Sequence, residues 1–234
     1  MEMEGRVAVV TGAAVGTGQA TACRLAEWGA RVVLADIGDC AETLGLIEGA
    51  GGEAVVVRAD LCDDGQAERL VEVARQRFGG LQILVNNAGG GRPAARYPDA
   101  TPAQWSSVLG LNLRVPMLLT QLALPALSAT GGVVVNVAST AGLDQTPYEW
   151  PEYAAAKAGL IRFTTAMATR SEGVRVNCVV PDWVRTSRAE AELAAMTADE
   201  RAAVPDPVPL PVLTGAVLEL VGDATLSGQV VVLR

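Results

Sequence analysis

Histidine is absent from the 234 residues, which removes the commonest metal ligand and the commonest general base. Acid–base chemistry in this chain has to come from other groups. Cysteine is sparse: Cys23, Cys40, Cys62 and Cys178 form no Cys-x-x-Cys pair and no zinc-site spacing. No metal site is expected, and free, buried thiols in a reducing compartment account for the four. Charged residues make up only 19%, with a formal net charge of -8 and a pI near 4.7. Such a surface repels phosphate backbones, which argues against a nucleic-acid partner. Met1-Glu2-Met3-Glu4-Gly5-Arg6 lacks the basic and apolar regions of a signal peptide. The longest greasy stretch, Val115 to Leu127, is too short to span a bilayer and carries Pro116 and Pro125. A soluble, cytoplasmic protein without a membrane partner is the expectation.

What is abundant is apolar: 50% of the residues are hydrophobic, enough for one packed domain with a full core. Short apolar runs recur at Arg6–Val10, Arg31–Ala35, Glu53–Arg58, Gln82–Val85, Val133–Val137, Val174–Val180 and Gln229–Leu233. They do not alternate polar with apolar, as befits parallel strands covered on both faces. Between them lie helical segments at Gln19–Trp28, Ala41–Glu48, Gln66–Phe78, Pro102–Ala129, Pro151–Ser171, Arg188–Ala203 and Thr214–Val221. This alternation predicts an α/β fold, a doubly wound parallel sheet in a single domain. Glycines at 29, 51–52, 79–80, 131–132, 173 and 228 read as helix stops. Prolines 205, 207, 209 and 211 predict an extended surface segment over Val204–Val212, forming with the helix before it a flap at about 183–212.

In an open parallel sheet, ligands bind beyond the carboxyl ends of the strands. The first strand runs into Thr11-Gly12-Ala13-Ala14-Val15-Gly16-Thr17-Gly18, a glycine-rich turn entering a helix and suited to a pyrophosphate. The second ends in Asp36, with Ile37 after it; a carboxylate there accepts from ribose hydroxyls and repels a 2′-phosphate, favouring NAD over NADP. Asp60 and Leu61 follow the third, where Asp60 meets an adenine amino group or caps a helix. The fourth runs into Asn86-Asn87-Ala88-Gly89, of which Asn86 reads as structural, and the fifth brings Ser139 to the mouth of the sheet. Pro181, Asp182 and Thr186 follow the sixth. Tyr153 and Lys157, four apart in an alanine-rich stretch, share a helical face. An ammonium beside a phenol favours the phenolate, which suits the tyrosine to proton exchange at a substrate oxygen.

Taken together, Thr-Gly-x-x-x-Gly-x-Gly at 11–18, Asn-Asn-Ala-Gly at 86–89, Ser139 and Tyr-x-x-x-Lys at 153–157 resemble the short-chain dehydrogenase/reductase family over nearly the whole chain. The resemblance implies a Rossmann-type sheet of about seven strands with helices on both faces, and hydride transfer between a nicotinamide and a carbonyl or alcohol carbon. It further implies Tyr153 as acid–base, Lys157 lowering its pKa and holding the nicotinamide ribose, and Ser139 bonding the substrate oxygen. Asn112 matches the residue that holds a water linking the lysine to solvent; from the residues alone, a helix kink fits it as well. NAD would contact Gly12, Val15, Gly16, Gly18, Asp36, Asp60, Leu61, Asn87, Ala88, Gly89, Tyr153, Lys157, Pro181 and Thr186.

Three positions depart from the family pattern: Asp182 for the usual glycine after Pro181, Gln82 for an Asp, and Val232-Leu233-Arg234 in place of an Asp-Gly-Gly ending. Asp tolerates left-handed geometry, so the turn at Asp182 is expected to survive. The ending puts the quaternary arrangement in question. The expected function is an NAD-dependent oxidoreductase interconverting a secondary alcohol and a ketone, with a pocket lined by Gly90–Tyr97, Leu143–Trp150 and Trp183–Val212. Tyr148, Trp150 and Trp183 suggest a largely apolar or ring-bearing small molecule, and Arg92, Arg96, Arg185 and Arg188 are candidates for an anionic group or ordinary surface charge. The alternative is a non-catalytic NAD-binding structural or regulatory protein. The long apolar helices predict a homodimer or homotetramer.

Overall fold

The computed structural model describes residues 3–90, 95–143, 150–170 and 173–234. Seven parallel strands, β1 (Val7–Thr11), β2 (Arg31–Asp36), β3 (Ala54–Arg58), β4 (Ile83–Asn86), β5 (Val133–Val137), β6 (Arg175–Pro181) and β7 (Val230–Leu233), form one sheet in the order β3-β2-β1-β4-β5-β6-β7. Val9 pairs with Val33 on one side and Leu84 on the other. Both faces are covered: Ala8 and Val10 pack in one core cluster with Leu25, Leu213 and Leu218, Val7 and Val9 in another with Leu70, Leu119 and Leu127. That is why the strand runs are continuously apolar.

The connecting helices are α1 (Gly16–Glu27), α2 (Ala41–Gly49), α3 (Asp64–Phe78), α4 (Pro102–Leu109), α5 (Val115–Ser128), α6 (Pro151–Ala168), α7 (Ser187–Ala195), α8 (Ala198–Ala203) and α9 (Leu210–Gly222). The glycines expected to stop helices do have positive φ where it is needed, as at Gly79 (φ 84), which caps α3 in the left-handed region.

Three expectations change. The helix predicted over Arg188–Ala203 is two, because Met196 is extended and Thr197 with Glu200 forms a capping box that starts α8. The proline segment is not extended throughout: Pro209 caps α9 and Pro211 lies in its first turn, where a missing N–H costs nothing. Val208 within it is buried, exchanges backbone hydrogen bonds with Trp183 and Arg185, and bridges to Val184. The segment is therefore anchored to the chain at 183–185. Third, Cys62 is exposed and Cys23 partly so, while Cys40 and Cys178 are buried; all four are free.

Between α4 and α5 the chain widens into a π-helical segment, Gly110–Arg114, centred on the buried Asn112. The composite helix, 27 residues over Pro102–Ser128, is long and apolar enough by length and composition to cross a bilayer, more than the Val115–Leu127 stretch alone offers. In this fold it is a core helix: Leu119, Ala123 and Leu127 are fully buried, and Arg114 forms a bidentate pair with Asp64 of α3 at 2.7–2.8 Å.

Candidate functional site

Strand order reverses between β1 and β4, and this is where an open α/β sheet leaves a crevice. Thr11 closes the crevice floor. Its hydroxyl donates to the Val85 carbonyl at 3.3 Å and accepts from the N–H groups of Asn87 (3.0 Å) and Ala88 (2.9 Å). The Asn87 side chain stitches the two loops together: its amide donates to the carbonyls of Thr11 (2.8 Å) and Gly12 (3.2 Å), and its oxygen accepts from the Thr17 hydroxyl at 2.7 Å. Asn87 thus uses its side chain to hold the glycine turn. A Cβ on Gly12, at φ 66, would lie 2.8 Å from the Asn87 amide, and one on Gly18 only 1.9 Å from the Gly12 carbonyl oxygen. Only glycine lets the strand, turn and helix close this tightly.

Above this floor lies a cleft of about 510 Å³ lined by Gly12, Val15, Gly16 and Thr17 of the turn, Asp36 and Ile37 after β2, Asp60–Cys62 after β3, Asn87–Gly89 after β4, Leu111, and Thr186–Arg188. The carboxylate of Asp36 accepts from the Ala14 N–H (3.0 Å) and the Gly38 N–H (2.8 Å), which fixes it at the rim. Asp60 is not the cap of α3: Asp63 is, accepting from Gly65 and Gln66, while Asp60 accepts from the Cys62 N–H at 3.0 Å. Gly18 and Pro181 are buried and off the cleft wall. Asp182 requires no left-handed geometry, since no non-glycine residue among those described has positive φ; its carboxylate accepts from the Trp183 N–H at 2.8 Å.

The second cluster stands behind Gly89, off the cleft wall. Lys157 Nζ lies 5.5 Å from the centroid of the Tyr153 ring, is 3% exposed and donates to the Val137 carbonyl at 2.9 Å. Burial lowers its pKa to about 8, with Cys178 opposing weakly. Asn112 Nδ2 donates to the carbonyls of Gly90 (2.8 Å) and Val108 (2.9 Å), and its Oδ1 accepts from the Gly90 N–H (2.8 Å). The π widening is what frees the Val108 carbonyl and turns Asn112 toward the loop after β4. Gly89 joins the two clusters, for a Cβ there would meet Asn112 Oδ1 at 2.9 Å and Lys157 Nζ at 3.1 Å. Ser139 caps a 3-10 turn, Thr140–Gly142, its Oγ accepting from the Ala141 N–H at 3.2 Å. That turn sits on α6, where a Cβ on Gly142 would clash with Ala158 N at 2.5 Å.

Some of this was not readable from residue types. Asn86 is structural as expected, but through a buried chain: its Nδ2 donates to Asn136 Oδ1 (2.9 Å), whose own Nδ2 donates to Thr164 Oγ1 (2.9 Å). The roles of Thr11 and Thr17 depend on partners 70 or more positions away, a separation no local signal spans. Glu152, beside Tyr153, is buried with neither carboxylate oxygen hydrogen-bonded among the described residues. Tyr148, Arg92 and the rest of residues 91–94 and 144–149, within the Gly90–Tyr97 and Leu143–Trp150 loops, lie outside the described residues.

A seven-stranded parallel sheet of this order, with a glycine-lined crevice at its switch point, defines a Rossmann-type protein. Residues 6–197 match the short chain dehydrogenase family, and the chain belongs to that family of oxidoreductase enzymes. Among curated relatives, it is 39% identical over 201 residues to a cis-4-hydroxycyclohexanecarboxylate dehydrogenase of Sinomonas cyclohexanicum, covering 84% of this chain and 79% of that one. It is 36% identical to a D-beta-hydroxybutyrate dehydrogenase of Cupriavidus necator over 203 residues, covering 85% and 78%. A crystal structure of a short-chain dehydrogenase/reductase from Burkholderia xenovorans superposes with a TM-score of 0.90 at 34% identity, covering 99% and 96% of the two chains. A 7 alpha-hydroxysteroid dehydrogenase in complex with NADH and 7-oxo glycochenodeoxycholic acid superposes with a TM-score of 0.89 at 28% identity, covering 99% and 94%.

Proposed function

We propose that this protein interconverts a secondary alcohol and a ketone, using NAD, with Tyr153 as the acid–base residue. The observation that carries the reading is the buried Lys157 ammonium held 5.5 Å from the Tyr153 ring by a backbone carbonyl. A cation fixed there favours the phenolate and steadies the tyrosine for proton exchange. The dinucleotide fits the residues present: Gly12 and Gly16 bring side-chain-free backbone to the cleft wall, and Asp36, Asp60, Gly89 and Thr186 line the same cleft. Gly12, Val15 and Gly16 would meet the pyrophosphate; Asp36 the adenosine ribose; Asp60 and Leu61 the adenine; and Ala88, Gly89, Lys157 and Thr186 the nicotinamide half. Gly18 and Pro181 act from behind, through packing. When bound, the nicotinamide accepts or supplies the hydride.

The chain's own part is positional and electrostatic. Tyr153 takes the alcohol proton in oxidation and returns it to the carbonyl oxygen in reduction. Ser139 donates a hydrogen bond to that oxygen, stabilising charge as it develops. Lys157 keeps Tyr153 poised, and Asn112 holds the water that connects the lysine to solvent. Asp36 excludes a 2′-phosphate and so selects NAD. The 183–212 segment serves as the wall over the substrate. The half-buried Trp150 and Trp183 suit a small apolar or ring-bearing substrate; the substrates in the relatives' names, cis-4-hydroxycyclohexanecarboxylate and D-beta-hydroxybutyrate, join a ring or short chain to a carboxylate.

We read the protein as cytoplasmic and as a homodimer or homotetramer. Support for self-association is an apolar groove of about 700 Å³ on the outer side of α4, α5 and α6, lined by Leu109, Leu113, Met117, Leu124, Phe163 and Met167; sedimentation as a monomer at micromolar concentration would count against it. The function is tested with a panel of cyclic and short-chain alcohols and ketones followed by NADH absorbance, with NADPH as control. No turnover across the panel, or preference for NADPH, overturns the corresponding part.

A further inference from the structure

Four arginines near the cleft are candidates for holding an anion, and the structure separates three of them. Arg96 lies over the Trp150 ring at 5.7 Å. Arg185 is paired with Glu190 at 3.3 Å and lies 4.0 Å from Asp206, which Arg201 also holds. Arg92 is outside the described residues. Arg188, in the first turn of α7, differs: it lines the cleft beside Thr186, and no hydrogen bond or ion pair engages it among the described residues. It is the only basic residue on the described cleft wall, whose other charges are the carboxylates Asp36 and Asp60. The glycine turn meets the chain two residues before Arg188, since a Cβ on Gly16 would stand 3.3 Å from the Thr186 methyl.

We propose that Arg188 binds the pyrophosphate of the dinucleotide, gripping from the α7 side the group that the glycine turn meets with its backbone N–H groups. This rests on the dinucleotide reading above and adds a contact to it. A pyrophosphate brings two negative charges into a cleft that already carries two, on a chain of net charge -8. The helix N-terminus offsets only about half a charge, and a guanidinium supplies both further charge and a planar pair of donors matched to phosphate oxygens. Because Arg188 follows Thr186 at the start of α7, occupancy of the pyrophosphate site ties this segment to the glycine turn.

The test compares ADP-ribose with adenosine by titration calorimetry on the full-length protein and its Arg188→Gln, Arg188→Lys and Arg185→Gln variants. Arg188→Gln is expected to weaken ADP-ribose about tenfold while leaving adenosine unchanged. Arg188→Lys recovers part of the loss, and Arg185→Gln, removing an arginine already paired, binds both ligands as the wild type does. Equal affinity of Arg188→Gln and wild type for ADP-ribose overturns the proposal, as does an equal loss for adenosine. A rise in KM for the alcohol with unchanged ADP-ribose binding also overturns it, by assigning Arg188 to the substrate. Wild-type protein that binds neither ligand overturns the dinucleotide reading itself, and with it this contact.

Discussion

Replacing Lys157 with methionine should make the protein more stable at neutral pH and inactive, and the gain should disappear in alkali. The amine is 3% exposed, and burial lowers its pKa from 10.5 to about 8. The unfolded chain therefore holds the proton more tightly between these two values, so stability rises with pH through that window. At ~1.4 kcal/mol per unit, burying the ammonium costs about 3 kcal/mol at neutral pH, about 2 near pH 9 and about 1 near pH 10. Methionine has similar length and no charge, but it abandons the 2.9 Å bond to the Val137 carbonyl, worth about 1 kcal/mol. The net expectation is a variant more stable by about 2 kcal/mol at pH 7, a Tm higher by about 4–8 °C for a chain of this size, and no difference near pH 10. Thermal and urea unfolding without cofactor, run in parallel at both pH values, read this directly. An equal gap at pH 7 and pH 10, or a variant less stable at pH 7, refutes the claim that Lys157 is held as a penalised cation.

Other substitutions probe the rest of the site. Tyr153→Phe should lower kcat by about two to four orders of magnitude while NAD binding by calorimetry stays within twofold, roughly the error of such a comparison; an unchanged rate would remove Tyr153 from the mechanism. Asp36→Ser deletes acceptors for the Ala14 and Gly38 N–H groups and the charge that opposes a 2′-phosphate. It should shift the NAD to NADP ratio of kcat/KM at least about tenfold toward NADP, and an unmoved ratio would mean selectivity lies elsewhere. Asn112→Ala leaves the Gly90 and Val108 groups without their partners, so unfolding should come at a Tm lower by about 4–8 °C, for a loss of about 2 kcal/mol. Gly89→Ala places a Cβ 2.9 Å from Asn112 Oδ1 and 3.1 Å from Lys157 Nζ; kcat/KM should fall at least about tenfold with an unaltered circular dichroism spectrum, and wild-type kinetics would show that the loop moves aside freely.

The seven strands and most of the helices were legible because their signals are local. A parallel strand buried on both faces has to be apolar at every position, and the stops between elements need glycine for positive φ. The same holds for Tyr153 and Lys157, since a four-residue spacing on a helix fixes a shared face. Boundaries went astray where a cap outweighed composition: the Thr197–Glu200 box divides the predicted 188–203 helix, and Pro211 is admitted to α9 because it sits in the first turn. The π turn at Asn112 was visible only as a polar residue in an apolar helix. What makes it a feature is the loop across from it, where the Gly90 backbone supplies both donor and acceptor.

By itself, then, the sequence determined the order of the elements and the chemical types at each strand end, since both follow from short-range periodicity and backbone sterics. Only the tertiary structure decided which of those residues work together. The strand order places β1 against β4, so Thr11, Thr17 and Asn87 lock one another across 70 or more positions and Asn87 becomes a brace for the turn. It also buried Lys157 enough to lower its pKa, and it paired Arg185 while leaving Arg188 facing the cleft. Burial, desolvation and ion pairing depend on what the fold brings alongside a residue, and a residue's chain neighbours do not specify that.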